Sequence, residues 1–96
     1  AGVLSAFFSP NLMPMFVVYV LFSKKFNKIY IGFTSKLISR FKSHNEIGSG
    51  WTKKFRPWSV EYLEFFDSKK EAMLREKQLK SSRGRAWIRE NIINIL

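Results

Sequence analysis

A carboxylate sits where the pattern would otherwise place an apolar side chain. Glu76 lies three or four residues from Ala72, Met73 and Leu79, in the middle of a stripe with helical spacing. Taking an unpaired carboxylate out of water is costly, so Glu76 needs a positive partner, a metal ion or a raised pKa. Two readings stand at this level: an ion pair to a Lys or Arg across the helix interface, and a metal ligand or catalytic acid. Tyr19 and Tyr30 fall within runs of Val, Ile and Phe on neighbouring short strands, where they serve either as core aromatics or as hydroxyls at one edge of a sheet. Gly32 weakens the strand it occupies, which points to a bulge or to a close approach by ligand or backbone. Arg40 and His44, four residues apart, share one flank of a helix, as part of a solvated basic face or as functional groups.

The remaining cations interleave with aromatics. Lys53, Lys54 and Arg56 alternate with Trp51, Phe55 and Trp58, and Lys69, Lys70, Arg75, Lys77, Lys80, Arg83, Arg85 and Arg89 follow. That mixture suits phosphate contact combined with base stacking, or else a solvated surface whose aromatics turn inward. Seventeen Lys and Arg against seven Asp and Glu give a net charge of +10, which points to a polyanionic partner. With no cysteine and one histidine, disulfides, zinc–thiolate clusters, thiol catalysis and His-rich metal sites are excluded, so any metal is held mainly by oxygen.

Ninety-six residues allow one compact domain with one modest core, and 46% hydrophobic residues can fill it. Ala1 to Ser23 carry no charge, but Pro10, Asn11 and Pro14 interrupt the run and no basic start precedes it. It is therefore expected to be neither a membrane span nor a signal peptide, and the protein to be cytoplasmic. Residues 1–14 read as an extension and 15–96 as the domain, with Met13 or Met15 as the natural start. Met15 to Phe22 and Ile29 to Phe33 predict two strands joined as an antiparallel hairpin by the polar Ser23–Lys28 segment. Leu37, Ile38 and Phe41 predict an amphipathic helix over Ser35–Asn45, ended by Gly48-Ser-Gly50. Trp51 to Trp58 reads as a basic aromatic loop and Ser59 to Phe66 as a third strand. Ser68 with Glu71 has the form of a capping box opening a helix to about Lys80. Gly84 breaks the pattern, and a last helix over Arg85–Ile95 carries Trp87, Ile88, Ile92 and Ile95 on one side. The expected fold class is α+β, a small three-stranded antiparallel or mixed sheet flanked by helices.

This constellation resembles the GIY-YIG nuclease superfamily, specifically its small single-domain bacterial members, which resemble the catalytic domain of the nucleotide-excision-repair endonuclease. The first motif corresponds to Val17-Val18-Tyr19, keeping only its tyrosine, and the second to Tyr30-Ile31-Gly32 in full. The resemblance continues through Arg40, His44, Gly50-Trp51-Thr52, Arg56-Pro57-Trp58 and Glu71-Ala72 to Arg75-Glu76-Lys77-Gln78-Leu79-Lys80. It implies metal-dependent hydrolysis of phosphodiester bonds in nucleic acid, DNA favoured over RNA. Tyr19, Tyr30, Arg40, His44 and Glu76 are then the catalytic set, with Glu76 holding one Mg²⁺ or Mn²⁺. Gly32, Lys36, Trp51, Thr52, Lys53, Lys54, Arg56, Lys77 and Lys80 are the expected nucleic-acid contacts. Arg40 would clamp the phosphate with its forked donors. Tyr19, Tyr30 and His44 compete for the role of general base, and the resemblance favours a tyrosine held as phenolate by the field of Arg40, nearby lysines and the metal. A monomer with no small-molecule cofactor and no membrane partner is expected. The alternative is a non-catalytic or assembly-dependent nucleic-acid-binding module with the same fold. A membrane-binding role is disfavoured because the helices do not pair a broad exposed apolar face with a basic one.

Overall fold

The computed structural model of the protein describes residues 15–42, 44, 45 and 50–93, the side chain of Ser39 excepted. The predicted N-terminal extension, Gly48, Ser49 and Ile95 lie outside the described residues. Three strands, β1 (Phe16–Ser23), β2 (Lys28–Thr34) and β3 (Ser59–Phe66), form an antiparallel sheet in the order β2-β1-β3. The α+β expectation holds, and the sheet is wholly antiparallel.

Because β1 is central, both its faces are covered, which is why its sequence is a continuous apolar run and not an alternation. Val18, Val20 and Phe22 point to one face with Ile29 and Ile31 of β2. They pack there against Ala72, Leu79 and Ile88 of the C-terminal helices. Tyr19 and Leu21 point to the other face, beside Trp58, Tyr30, Leu37, Phe41, Phe55 and Leu63. Between Val20 and Leu21 the partner on β3 jumps from Tyr62 to Val60, a bulge at Glu61 that bends this edge strand. The β1–β2 turn places Asn27 at φ 53°, a conformation asparagine tolerates. Arg89 ties that turn down by donating to the Asn27 side chain at 2.8 Å and to its carbonyl at 3.2 Å.

The helices depart from expectation at their ends. The first, α1, covers only Leu37–Lys42, and Ile38 is 76% exposed, so Leu37 and Phe41 alone face the sheet. The predicted basic aromatic loop begins with a short helix, α2 (Gly50–Lys54). Ser68 caps the helix as expected, its hydroxyl accepting from the Glu71 amide at 3.2 Å, but the Glu71 carboxylate accepts from that hydroxyl at 3.0 Å and so does not complete the box on the Ser68 backbone; this opens α3 (Lys69–Lys80). The next helix, α4 (Ser82–Ile88), starts before Gly84 and runs on into a π-helical turn, Arg89–Ile93. Ser81 explains the misplaced start, because it serves both helices. Its hydroxyl donates to the Gln78 carbonyl at 2.6 Å and accepts from the Gly84 amide at 3.1 Å.

Gly84 is therefore a packing residue and not a breaker. A Cβ there would meet the Gln78 carbonyl oxygen and lie 2.6 Å from Leu79 Cα, both backbone atoms that cannot swing aside. Gly84→Ala is expected to destabilise the fold by about 1–3 kcal/mol, as overpacking does, although alanine is the better helix former by about 1 kcal/mol. Urea denaturation checks this: a variant as stable as the wild type, or more so, would mean the α3–α4 junction can open freely.

Candidate active site

Strand register builds the centre of the site. Tyr19 lies directly opposite Gly32 across the β1–β2 pair, and its ring occupies the space above the glycine. A Cβ at position 32 would sit 2.6 Å from the Tyr19 hydroxyl oxygen. Gly32 is thus required for the placement of Tyr19. Tyr30, two residues earlier on β2, points to the same face and stacks on Tyr19 with ring centroids 6.2 Å apart and planes at 27°. His44, in the turn after α1, closes the group. Its Nε2 is 3.2 Å from the Tyr19 hydroxyl oxygen, and its ring centroid is 4.5 Å from that of Tyr30.

The segment after α2 fixes His44 and its neighbour. Arg56 Nε donates to the His44 carbonyl at 3.2 Å. Asn45 pairs with the Trp58 backbone in both directions, Oδ1 accepting from the amide at 2.6 Å and Nδ2 donating to the carbonyl at 3.0 Å. Trp58, 3% exposed, donates its indole N–H to the Thr52 carbonyl at 2.8 Å. Trp51 packs on this frame, 5.7 Å from Trp58, 4.8 Å from Phe55 and 6.3 Å from Tyr30. Of the predicted nucleic-acid contacts, Gly32 and Thr52 are buried and Arg56 is half-buried with its Nε turned to backbone, so all three help to position the site. Asn45 and Trp58 are positioning residues that sequence reading missed. No periodicity marks Asn45, whereas a tryptophan directly after Pro57 was a readable sign of a fixed aromatic.

The charges of the other two predicted residues, Arg40 and Glu76, are felt at Tyr19. Burial pushes the Tyr19 hydroxyl well above the usual phenol range, and the neighbouring Tyr30 adds to this. Arg40 pulls the opposite way and Glu76 raises it further. The expected Arg40 field exists, but burial outweighs it, so Tyr19 is a neutral phenol at pH 7 and not a phenolate. Burial, and then Arg40, lower the His44 pKa, leaving a neutral imidazole. Arg40 itself is exposed on α1.

Glu76 reaches the site from α3. Its side chain is 20% exposed, between Ala72 and Leu79, which are fully buried, but Met73 is 49% exposed and does not belong to the inward stripe. Lys80, one turn on, faces its Oε1 at 3.3 Å, so the ion-pair reading of Glu76 is met in part. No hydrogen bond reaches its other oxygen among the described residues. Those residues hold no group of three or more His, Asp or Glu that could enclose a metal. A single half-buried carboxylate, one oxygen of which meets no donor among the described residues, fits a hard divalent ion that keeps most of its waters, and does not fit an all-protein cage.

Comparison with known proteins bears directly on this arrangement. The GIY-YIG catalytic domain profile matches residues 15–91. The chain belongs to the GIY-YIG family. It is 40% identical over 65 residues to a UPF0213 protein of Staphylococcus haemolyticus, covering 67% of this chain and 78% of that one. Over 68 residues it is 40% identical to a UPF0213 protein of Bacillus velezensis, covering 67% and 69%. A UPF0213 protein of Clostridium perfringens is 39% identical over 64 residues, covering 66% and 68%. No solved structure matches the chain significantly. Membership places the chain in a nuclease superfamily whose substrates are nucleic acids and whose members generally use a divalent metal. The tyrosines that carry the GIY-YIG resemblance are the two stacked rings, and its glycine is the one beneath Tyr19.

Of the predicted surface cations, Lys80 lines a cleft with Tyr30 and Trp51, and Lys53 and Lys54 line another beside Trp51. Lys36 is exposed ahead of α1, its amide donating to Thr34 Oγ1 at 2.9 Å. Lys77 lies apart, on the outer side of α3 with Lys69, Lys70, Met73 and Leu74.

The lowered pKa of His44 has a sign that can be measured. The unfolded chain takes up a proton at an ordinary imidazole pKa of about 6.5 before the folded protein does. The contribution of His44 to stability is therefore complete above that pH and is lost as pH falls below it. The His44 ring protons are expected to titrate in NMR with a midpoint below about 6.5, and a midpoint above it would contradict a buried neutral imidazole. Gly32→Ala is expected to displace the Tyr19 ring and cost about 1–3 kcal/mol, with a shift of the His44 ring signals as the 3.2 Å contact breaks.

Proposed function

We propose that the protein is a divalent-metal-dependent endonuclease that hydrolyses phosphodiester bonds in nucleic acid, DNA favoured. The observation that carries this reading is the convergence on one hydroxyl. Tyr19 meets His44 by hydrogen bond and Tyr30 by stacking, and feels the charges of Arg40 and Glu76. Such a centre offers what phosphodiester hydrolysis requires: a proton acceptor for the attacking water, positive charge for the non-bridging oxygens, and a place to stabilise the leaving oxyanion.

Glu76 would hold the Mg²⁺ or Mn²⁺ ion, which when bound supplies Lewis-acid neutralisation of phosphate charge. Arg40, exposed and permanently charged, grips the phosphate through its forked donors. Proton transfer does not need a phenolate. Tyr30 lines the cleft, and Tyr19 and neutral His44 are buried beside it, the His44 ring 4.5 Å from that of Tyr30 and its Nε2 3.2 Å from the Tyr19 hydroxyl oxygen. A proton leaving the attacking water passes to the Tyr30 oxygen as the Tyr30 proton moves to Tyr19 and the Tyr19 proton moves to His44 Nε2. Each phenol gives up one proton and gains one, so the charge appears only on the imidazole, whose lowered pKa makes it the neutral acceptor at the end of the relay. His44 is in this reading the terminal base, and the two tyrosines carry the proton to it.

The domain is taken to run from Met15 and to act as a monomer in the cytoplasm; no helix among the described residues is long and apolar enough to cross a membrane. The non-catalytic binding module remains the second reading, favoured by the Lys80 contact, which engages the same carboxylate a metal would use.

Glu76→Gln is expected to lower metal-dependent cleavage of labelled DNA and RNA by at least about a hundred-fold, the scale of losing a principal electrostatic group. Binding should be retained or slightly tightened by the loss of a negative charge. Full cleavage by this variant would remove Glu76 from the mechanism, and no cleavage by the wild type with binding intact would favour the binding module. Affinity is also expected to fall steeply and log-linearly with salt, and a flat response would contradict a phosphate-tracking surface.

A further inference from the structure

Trp51 is 48% exposed although it belongs to a packed group of rings. Its inner side meets Trp58 and Tyr30 at interplanar angles of 33° in both cases, while Tyr30 and Trp58 meet each other edge to face at 64°, so Trp51 covers a cluster of rings and leaves its own outer side open. Trp51 also forms the ridge between two clefts. One is lined by Ile29, Tyr30, Ile31, Lys80 and Arg85, the other by Gly50, Lys53 and Lys54. Among the described residues no acidic side chain lines either. Arg85 is oriented for this, since its Nε donates to the Lys80 carbonyl at 3.1 Å, and no partner among the described residues takes its terminal nitrogens.

We propose that the outer face of Trp51 is a stacking subsite for one unpaired base, whose flanking phosphates are held by Lys80 and Arg85 on the Tyr30 side and by Lys53 and Lys54 on the other. An exposed ring between two pairs of cations matches the repeat of a single strand, in which each base is bracketed by two phosphates. A duplex buries its base faces in its own stack and would offer Trp51 only edges and backbone, leaving the ring without a partner. Because Tyr30 lines the first cleft, the strand that stacks on Trp51 is led towards the catalytic residues. The subsite thus deepens the nuclease reading, on which it rests for the identity of the strand that is cut, and adds Arg85 to the binding residues.

The test needs no cleavage. A short end-labelled thymidylate oligomer and a fully abasic oligomer of the same length carry the same phosphate charge and differ only in their bases. Binding is measured in chelator by anisotropy and by quenching of tryptophan emission in Trp87→Phe protein, which removes the other exposed tryptophan. The thymidylate oligomer is expected to bind about five- to a hundred-fold more tightly, the scale of one base stacked on an aromatic ring, and to quench the emission. Trp51→Ala should abolish the preference while retaining abasic binding, and Arg85→Gln should weaken both oligomers alike. Equal affinity of the wild-type protein for the two oligomers, or a preference that survives Trp51→Ala, overturns the proposal whatever the variants do to stability. If the preference is found but no nucleic acid is cut with Mg²⁺ or Mn²⁺, the subsite stands and the nuclease reading falls; cutting without the preference is the reverse.

Discussion

Tyr19 can lie where it does only because residue 32 has no side chain. The cross-strand partner of a strand residue normally contributes a Cβ to the same face, and here that Cβ would collide with the phenol oxygen. With the space empty, the Tyr19 ring folds down over the backbone of β2, and its hydroxyl ends beside His44 instead of at the sheet surface. Tyr30 then stacks on it because the register places it two residues along the same strand and face. The short hairpin thus determines the site before any helix is added. A one-residue slip of β2 would turn Tyr30 to the helical layer and separate the pair.

Burial follows from the same packing and decides the chemistry. A phenol 2% exposed loses the solvation that a phenolate needs, and one exposed arginine at the rim cannot restore it. The imidazole beside it loses solvation too, which disfavours its cation. Both groups are therefore neutral at pH 7, an uncharged hydrogen-bonded pair. The Asn45–Trp58 backbone pairing and the Arg56 contact hold this pair in place, and they are far enough along the chain that α2 and the extended segment after it must close correctly.

Much of this was legible in the sequence, for reasons that differ from residue to residue. The strands were clear because β-branched and aromatic runs bounded by polar turns have few other solutions, and Ser68 with Glu71 marked a helix start through a local hydrogen bond. Glu76 stood out by being charged at a buried spacing, although Met73, counted in its stripe, turns outward. Ser81 was missed because one serine serves two helices, while Gly84, in the first turn of α4, has the residue type of a helix stop. The buried state of Thr52 and the backbone role of Arg56 depend on tertiary contacts that spacing does not encode. Residue types showed that Tyr19, Tyr30 and His44 were candidates, but the sign of the pKa shifts needed the burial of each.

The two faces of the sheet divide stability from function. The buried core towards α3 and α4 is mainly aliphatic, built from Val18, Val20, Ile29, Ile31, Leu79 and Ile88 with Phe22 among them, shapes that interdigitate with few polar demands. The other face is filled by rings, whose flat surfaces leave hydroxyl, imidazole and indole groups along their edges. Such a layer is less able to close over itself, and Trp51 and Tyr30 remain open to solvent at its rim. A domain this small can keep that opening because α3 crosses the aliphatic face and secures the hairpin independently. Glu76 is carried by the same helix, so this carboxylate is anchored in the stable layer while its charge is felt at Tyr19 in the other.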